Sequence, residues 1–493
     1  MTRFLFGLLG AAFAAGLASR AGADIVLDWN STIYHVIQQD GLIRDPNQAN
    51  PGWSSRAIAM MNGAIYDTFQ AANRTHRPYL VDTQALPDTS LDAAIHQAAH
   101  DVLIHAYGGI PDAVTDAIDD AYNARMALVA GGTARTNGIQ LGQEIAAAYL
   151  LDRSTDHANV MVPYMPGTEP GQWRPQPGQS AWGPGWGMVR PFSITSTQPF
   201  VDALPPIPAM TSDAYTDAFN QVKAYGELDS SVRTLQQEEI AMFWAYDRAG
   251  MGPPPALWVR NLIDVAGATP NTPAENARMF ASASVAIADA AIAAWDAKYE
   301  YNFWRPIAAI READTDENPN TDVDDAWQPL GAPGDRPGDS DDDFTPPFPA
   351  WTSGHATMGG ALFKSLELFF GTNNFDEIDG IVGNDPTYRL TSQEAGSGGE
   401  RFYSTFTQTG PLDVGTENSP EGENGTSRIY LGIHWIFDQR DGITLGNNIA
   451  EYVAAHGFQA VPEPSGLTMG LTVALVACGV RIVRRQKFAT SRP

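Results

Sequence analysis

Three separated segments of the sequence carry residue types that together can hold a tetrahedral oxyanion. The first is Lys298-x6-Arg305-Pro306, which places two long cations close together in the chain. A straight helix would set Lys298 and Arg305 roughly 10 Å apart along its axis, and the proline biases Arg305 towards an extended conformation. The two cations would then hold one anion from different sides. Taken alone, this segment is better explained by two cations that extend to solvent or pair with the nearby Glu300 and Glu312.

The second segment is Ser353-Gly354-His355, where a proline-rich loop meets the predicted start of a helix. Gly354 would let backbone N–H groups approach an anion at the positive helix N-terminus, and the Ser353 hydroxyl is a further donor. His355 would stand beside that anion as a proton donor. An N-cap serine followed by a structural histidine explains this segment equally well.

The third segment, from Ser427-Arg428 to His434 and Asp438, places the last two residues four positions apart on one predicted helix face. Asp438, or a backbone carbonyl, would hold one imidazole nitrogen and leave the other free to attack or to coordinate. Such a pair is often only a core hydrogen bond. The occurrence of all three segments in one chain favours a shared anion site, because several unrelated coincidences would otherwise be needed.

Helices must position these segments, since apolar residues recur at steps of three and four rather than in alternation. A capping box with proline at the first helical position, Thr272-Pro273-Ala274-Glu275, predicts a helix that runs through Trp295. Further helices are predicted after Pro51, around 95–103, from His355 to Phe370 before Gly371, and from about Ser427 to His456. The pattern therefore predicts an all-α fold.

Two stretches lack this periodicity. Residues 155–211 are rich in proline, glycine and tryptophan, which indicates a long ordered connection between two helical bundles. Residues 312–343 are acidic, so a calcium-binding loop is one interpretation of this segment. The EF-hand spacing is absent, and a solvated loop is therefore favoured. Asp92, His96 and His100 share one predicted helix face as metal ligands would, yet one helix supplies no closing ligand from elsewhere.

The composition is that of a folded, acidic protein. Of 493 residues, 43% are hydrophobic, and the formal net charge is −27. An apolar share of this size is typical of a chain that buries a core, whereas nucleic acid or an anionic membrane requires clustered lysine and arginine. We therefore expect no nucleic-acid partner. The single cysteine, Cys478, lies in the C-terminal tail, so thiol catalysis and cysteine metal sites are excluded from the globular part.

Both ends of the chain are predicted to be targeting segments around a helical domain at 24–460. Residues 1–23 combine a basic residue, an apolar run and a cleavage triplet ending at Ala23, which is typical of a signal peptide. Residues 461–493 contain Pro462-Glu463-Pro464, a short apolar transmembrane stretch and a basic cluster. This order resembles the PEP-CTERM sorting signal. It implies contact with export and sorting machinery and a periplasmic, cell-surface or extracellular location after processing.

Taken together, the three segments resemble the vanadium-dependent haloperoxidases of the type 2 phosphatidic acid phosphatase (PAP2) superfamily. The likeness spans most of residues 24–456, and the three-part signature is highly specific. Five shorter stretches also resemble chloroperoxidase-type members: Asp28-Trp29-Asn30, Ser55-Arg56-Ala57, Ala64-Ile65-Tyr66-Asp67, Phe243-Trp244-Ala245-Tyr246-Asp247 and Pro346-Pro347-Phe348-Pro349.

The resemblance implies two four-helix bundles with one vanadate bound between helices, and hydrogen peroxide and halide as reactants that yield hypohalous acid. The halide and the organic acceptor are not identified by the sequence. The implied roles are the axial vanadium ligand (His434), neutralisation of the vanadate oxygens (Lys298, Arg305, Arg428), hydrogen-bond donation (Ser353, Gly354), acid–base catalysis (His355), support of the second arginine (Asp247) and the halide pocket (Trp295, Phe348).

The same residues also resemble the acid phosphatases of the superfamily, in which His434 would form a phosphohistidine and His355 would protonate the leaving group. The aromatic approach and the acidic surface favour the haloperoxidase. A third alternative is an inactive exported surface protein, although a decayed site has no reason to keep its polar groups. One departure from the family is Trp351-Thr352, where members carry an aromatic residue and a proline. It predicts a looser loop.

Overall fold

The computed structural model describes residues 24–43, 50–108, 112–246, 250–333, 345–381, 387–394 and 396–461. The predicted signal peptide (1–23) and nearly all of the predicted sorting tail (462–493) lie outside these ranges. Asp247 and residues 334–343 of the acidic segment lie outside them as well. The domain boundaries inferred from the sequence therefore stay predictions.

Within these ranges the fold is mostly helical, which confirms the predicted class. The α-helices are α1 (Ile25–Ile43), α2 (Pro51–Asn73), α3 (Leu91–Ala106), α4 (Asp112–Met126), α5 (Thr133–Arg153), α6 (Gln198–Val201), α7 (Asp213–Tyr225), α8 (Leu235–Phe243), α9 (Pro254–Ala268), α10 (Pro273–Tyr301), α11 (Pro306–Arg311), α12 (Gly354–Phe370), α13 (Pro420–Tyr430) and α14 (Ile436–His456). Single 3-10 turns occur at Trp186–Met188, Ala313–Thr315 and Phe375–Glu377.

The first helical group is formed by α1 to α5. Helix α2 begins where the Asn50 side chain accepts the Trp53 N–H at 2.9 Å, with Pro51 at its first position. Helices α3 and α5 pack with their backbones in contact, because a Cβ at Gly142 would lie 2.4 Å from the Ala94 carbonyl oxygen. The small residue is thus what allows this close approach.

Helix α10 joins this group to the second one, in which it packs against α12 and α14. Its start is the predicted capping box: the Glu275 N–H is accepted by the Thr272 hydroxyl at 3.3 Å, and the Glu275 carboxylate accepts the Thr272 N–H at 2.7 Å. Among the described helices, α10 is the one long and apolar enough to cross a membrane, and most of it is buried inside the protein. It is therefore the core helix that both groups share.

The second group contains α12, α13 and α14. Helix α12 matches its prediction and ends before Gly371, which adopts a φ of 72°. The single helix predicted from Ser427 to His456 is wrong, because the chain breaks between α13 and α14. Gly432 takes a φ of 73° at that break, where a Cβ would lie 2.5 Å from the Gly226 carbonyl oxygen. The break places His434 just before a helix N-terminus rather than inside a helix.

Two further parts complete the described chain. Residues 155–211 form the predicted long connection, with only α6 and the turn at Trp186–Met188 as regular structure. A two-stranded antiparallel sheet, β1 (Tyr388–Thr391) and β2 (Glu400–Tyr403), was not predicted from the sequence. Its connection contains Gly398 and Gly399 with φ of 72° and 80°, conformations that favour glycine in a tight reversal.

Candidate active site

Lys298 lies in the last turn of α10 and is fully buried. Its ammonium donates to the carbonyl oxygens of Pro349 and Ala350 at 2.8 and 2.9 Å. Burial and the neighbouring Arg305 hold the pKa of Lys298 well below its usual value. This cation is thus positioned by backbone dipoles and would be stabilised by an anion beside it.

Arg305 follows α10 after a sharp turn, so the separation of a straight helix does not apply between Lys298 and Arg305. The helix ends at Tyr301, and Asn302 adopts the left-handed conformation with φ 48°. Arg305 itself is extended before Pro306, as predicted, with φ −83° and ψ 155°. Because of this turn, the Arg305 guanidinium lies closer to Lys298 than it would along a straight helix.

The Arg305 guanidinium is bound on several sides. Its Nε donates to the Phe348 carbonyl at 2.9 Å, and its Nη1 donates to the Ile433 carbonyl at 2.8 Å. The same Nη1 lies 2.9 Å from His434 Nε2. Arg305 therefore connects two of the predicted segments directly and orients the imidazole of the third.

Ser353, Gly354 and His355 form the N-terminus of α12, as predicted. Ser353 is the N-cap, and its hydroxyl accepts the Ala356 N–H at 3.3 Å. A Cβ at Gly354 would lie 2.8 Å from Trp295 Cζ3 and 3.7 Å from Lys298 Cε, so only glycine fits without displacing the indole ring. The first N–H groups of a helix have no intrahelical acceptor, so those at the start of α12 would be available to an anion.

The imidazole of His355 is buried, and its Nε2 has no hydrogen-bond partner among the described residues. Its ring packs edge-on against Trp258 at a centroid distance of 5.0 Å. Burial, followed by the charge of Arg428, holds the pKa of His355 well below its usual value. A buried polar atom without a partner is costly, so His355 Nε2 marks a position where a ligand would bind.

Arg428 lies in the last turn of α13 and is also buried. Its Nη2 donates to the Trp244 carbonyl at 2.6 Å, and its Nε donates to the Ser427 hydroxyl at 3.1 Å. Asp247, the predicted support of this arginine, lies outside the described residues. Arg428 is therefore held by the Trp244 carbonyl, just after α8, and by Ser427 of its own helix, α13.

The tautomer of His434 follows from its neighbours. A guanidinium can only donate, so the contact from Arg305 Nη1 requires a lone pair on His434 Nε2. The proton then sits on Nδ1, which donates to Asp438 at 2.8 Å. Burial, then Arg305 and Lys298, hold the pKa of His434 well below its usual value. The residue is a neutral imidazole whose Nε2 carries the lone pair.

Asp438 keeps this histidine in place from the first turn of α14. The carboxylate oxygen that binds His434 also accepts the Trp435 N–H at 3.2 Å. Burial raises the pKa of Asp438, and the charge of Lys298 opposes that rise. The predicted pairing of these two residues is thus present, although the helix break means that it is a capping interaction and not a pair on one helix face.

An aromatic wall stands next to these cations. Trp295 and Phe348 pack at a centroid distance of 4.9 Å, and the Lys298 ammonium lies 5.1 Å from the Phe348 ring centroid. Trp182, from the 155–211 connection, packs against both rings at 4.9 and 5.9 Å. The structure thus brings both predicted pocket residues beside Lys298, and it adds a third ring that sequence patterns did not reveal.

The loop that contains Trp351 and Thr352 is firmly held, contrary to the expectation of looseness. The Trp351 indole donates to Asp441 at 2.8 Å, and its ring packs against Tyr301 at 4.6 Å. The Thr352 hydroxyl lies 3.2 Å from that of Thr357. Both residues are buried, and they tie the entry of α12 to α10 and α14.

The other predicted binding features are not assembled into sites. His96 accepts the Trp29 indole N–H at 3.0 Å, and His100 contacts Asp101 and Asp119 instead of joining Asp92. Within the described ranges, no three His, Cys, Asp or Glu side chains are grouped as metal ligands. The described part of the acidic segment, residues 312–333, therefore offers no calcium site of that kind.

The chain is similar to known proteins in sequence and in fold. The family model described as the VCPO second helical-bundle domain matches residues 278–462. The chain is 31% identical over 323 residues to the vanadium chloroperoxidase of Curvularia inaequalis, which covers 59% of this chain and 51% of that protein. The chain therefore spans about half the length of this curated relative.

Solved structures show the same fold. A bacterial vanadium-dependent iodoperoxidase matches with a TM-score of 0.70 and 22% identity, covering 90% of this chain and 100% of that one. A holo-type bacterial vanadium-dependent chloroperoxidase matches with a TM-score of 0.57 and 14% identity, covering 85% and 95%. The sequence matched by the family model, residues 278–462, contains all three predicted segments.

Proposed function

We propose that this protein is a vanadate-dependent haloperoxidase that oxidises halide with hydrogen peroxide to hypohalous acid. The observation that carries this proposal is the neutral His434, whose Nε2 lone pair points into a buried cluster of cations. A ligating nitrogen surrounded by positive charge suits a metal oxyanion better than a bare metal cation. The names of the relatives above point to the same chemistry.

The residues fit vanadate in charge and in donor geometry. Lys298, Arg305 and Arg428 are buried cations, and Gly354 at the start of α12 lies beside Lys298. His434 would ligate vanadium through Nε2, and Arg305 Nη1, now 2.9 Å from that nitrogen, would turn to an oxygen of the bound anion. His355 Nε2, buried and without a partner among the described residues, would bind another oxygen.

Bound vanadate would supply a Lewis acid that activates hydrogen peroxide towards halide. The protein supplies the rest. His434 keeps its ligating nitrogen unprotonated because Asp438 holds the proton on Nδ1. Lys298 would donate to an oxygen on the side of the aromatic wall, and His355, neutral because it is buried, would accept and return a proton at Nε2.

The aromatic wall gives the halide a place next to Lys298. Trp295 and Phe348 remove water from one side of that space, and the ammonium attracts the anion from the other. Partial desolvation makes a halide a better nucleophile. We therefore propose that these two rings and Lys298 form the halide site.

A phosphatase is the competing function, because a neutral His434 with an unprotonated Nε2 would also suit attack on phosphorus. The two functions separate in one experiment. Protein reconstituted with vanadate should halogenate a dione reporter only when peroxide and a halide are both present, with chloride, bromide and iodide assayed separately. Hydrolysis of a phosphomonoester by the vanadate-free protein, without any halogenation after reconstitution, would establish the phosphatase instead.

The ligand role of His434 has its own test with a matched control. His434→Ala should retain no vanadium in a direct elemental assay, because the one proposed protein ligand is lost. His96→Gln changes another buried histidine, which accepts a hydrogen bond from Trp29 away from the site, and should keep full vanadium content. Unchanged vanadium stoichiometry in His434→Ala would remove this residue as the ligand.

We also propose that the protein is exported and processed at its C-terminus. Support comes from the targeting patterns at 1–23 and 461–493 in the sequence. Intact-mass measurement of protein isolated from its natural host should show loss of residues 1–23. A mature chain that still begins at Met1 would contradict the proposal.

A further inference from the structure

The exposed methionines of the described chain all lie on one connection. Met161, Met165 and Met188 are 93%, 84% and 58% exposed. Every other methionine within the described ranges is buried or half-buried. An exposed methionine contributes little to folding, so three of them on one segment call for another explanation. We name these three residues the methionine rim.

The methionine rim is attached to the aromatic wall through its neighbours. Tyr164, between Met161 and Met165, donates its hydroxyl to the Asn302 side chain at 2.7 Å and packs against Tyr299 at 5.5 Å. Tyr299 and Asn302 lie at the end of α10, immediately after Lys298. The first part of the rim thus follows the same helix end that carries the site.

The second part of the rim, Met188, lies next to a close contact with α10. Met188 ends the turn at Trp186–Met188, and a Cβ at Gly187 would lie 2.5 Å from Asp296 Cα, next to Trp295 in α10. The Trp182 N–H donates to the Pro347 carbonyl at 2.8 Å, beside Phe348. The connection that bears the rim therefore packs directly on the proposed halide site, where the two partly exposed residues Pro347 and Phe348 reach the surface.

We propose that the methionine rim is a modification site, at which hypohalous acid leaving the pocket is consumed by conversion of thioethers to sulfoxides. This inference rests on the proposed haloperoxidase function. The sulfur attacks the halogen, hydroxide leaves, and water then adds its oxygen to sulfur while halide departs. Sulfur loses two electrons and the halogen gains them, so one thioether and one hypohalous acid give one sulfoxide, one halide and one proton. Methionine sulfoxide is chemically reversible by reduction.

The rim would protect the rings that form the site. Thioethers react with electrophilic halogen faster than phenol or indole rings, so they compete for oxidant with Tyr164, Trp182 and Trp295. No cysteine is present between residues 24 and 461 to serve this purpose. An exposed sulfoxide adds a polar group without disturbing a core, in contrast to oxidation of a buried methionine.

Peptide mass spectrometry of the reconstituted full chain tests the inference. The protein is run with peroxide and bromide in excess free methionine, which captures oxidant that reaches bulk solution. The rim peptides should each gain one oxygen in proportion to turnover, whereas the same free methionine should prevent their oxidation by added hypobromite. The inference would be overturned if the rim peptides stayed unoxidised while the enzyme halogenated a dione. It would also be overturned if free methionine suppressed oxidation of the rim peptides equally during turnover and with added hypobromite.

The outcomes separate the two proposals. A preparation that binds vanadate but halogenates nothing overturns the haloperoxidase proposal. The modification-site proposal is then overturned too, because no hypohalous acid is formed to oxidise the methionines. As a second measurement, the triple variant Met161→Leu, Met165→Leu, Met188→Leu should show an unchanged initial rate and a loss of total turnovers before inactivation. Met126→Leu, a buried methionine at the end of α4, is the matched control and should keep its total turnovers. An equal lifetime of the triple variant would contradict the protective role.

Discussion

Buried charges are treated differently in the first helical group and at the candidate active site. In the first group, Asp67 accepts the N–H groups of Tyr79, Leu80 and Val81 and the Tyr149 hydroxyl, all within 2.9 Å. Arg56 pairs with Asp156 at 2.7 Å. Asp67 is satisfied by the loop after α2 and by Tyr149 of α5, and Arg56 by Asp156, just after α5.

At the candidate site, positive charge is gathered instead of being neutralised. Lys298 donates to two carbonyl oxygens, which carry only partial charge, and the charge of Arg305 lowers its pKa more than the charge of Asp438 raises it. Leaving a buried cation next to a like charge reduces stability. The difference indicates that the buried charges of the first group stabilise the fold. Those of the site reduce the stability of the anion-free protein and favour the binding of an external anion.

The largest effect on stability is expected in the first group, from Asp67→Ala. The change leaves three backbone N–H groups and a tyrosine hydroxyl without their acceptor, so unfolding free energy should fall by about 3–5 kcal/mol. Urea denaturation of the vanadate-free protein measures this. Asp82→Ala removes an exposed carboxylate paired with Arg74 at 3.0 Å, and it should cost less than about 1 kcal/mol. Equal losses of unfolding free energy in the two variants would show that the contribution of Asp67 to stability does not depend on its burial.

Glu421 sharpens the comparison, since it is a buried carboxyl on α13, the helix that carries Arg428. Its Oε2 accepts the Gln408 N–H at 2.7 Å, and burial raises the pKa of Glu421 to about 8. Because the folded pKa lies above the unfolded value, the stabilisation is complete below the unfolded pKa and is lost as pH rises through the folded one. Stability should fall by about 2–3 kcal/mol between about pH 6 and pH 9.

The variant Glu421→Gln removes this titration while it keeps an oxygen that accepts the Gln408 N–H. Its stability should therefore change less than that of the wild type over the same pH range. Urea midpoints at a series of pH values, measured for both proteins, give the two slopes. Parallel pH profiles would show that another group causes the loss of stability.

Lys298→Met tests the other side of the comparison. Without vanadate, loss of a buried cation should change unfolding free energy by less than about 1 kcal/mol or increase it. Vanadate affinity should fall about 10- to 150-fold, since a charge-assisted hydrogen bond worth about 1.5–3 kcal/mol is lost. Equilibrium dialysis measures the binding constant. Lys223→Met is the control, because Lys223 donates to the Asp322 carbonyl at 2.7 Å and lies outside the site. If Lys298→Met lost as much unfolding free energy as Asp67→Ala, buried charges would contribute to stability equally in both regions, and the comparison would be wrong.

The parts that could be predicted from the sequence are those fixed by local signals. Helix α10 begins at its capping box, and α12 runs from Gly354 to the residue before Gly371, because caps and glycine act within a few residues. The cationic and histidine segments were identified from residue type and spacing, which chemistry restricts strongly. Their convergence was inferred from their number and order. The structure places Arg305 against His434, and it places Lys298 and Arg305 at the same Phe348 ring.

The rest depended on contacts between distant residues. The break at Gly432 follows from the close approach of Gly226, which lies about two hundred positions earlier and leaves no trace in local periodicity. Trp182 was missed because it lies in an irregular segment, where no pattern indicates which of several tryptophans reaches the site. The short sheet was missed as well, since four-residue strands give too little alternation to stand out.

The smallest expected effect separates two roles of one serine. Ser353 caps α12 and is also proposed to donate to vanadate, so Ser353→Ala should lower unfolding free energy by about 1 kcal/mol and also weaken vanadate binding. Ser212 caps α7 in the same way, accepting the Tyr215 N–H at 3.2 Å, but it lies outside the site. Ser212→Ala should therefore lose similar stability and keep its vanadate affinity. If both variants bind vanadate equally well, Ser353 acts only as a helix cap, and the positive helix N-terminus at Gly354 remains to hold that side of the anion.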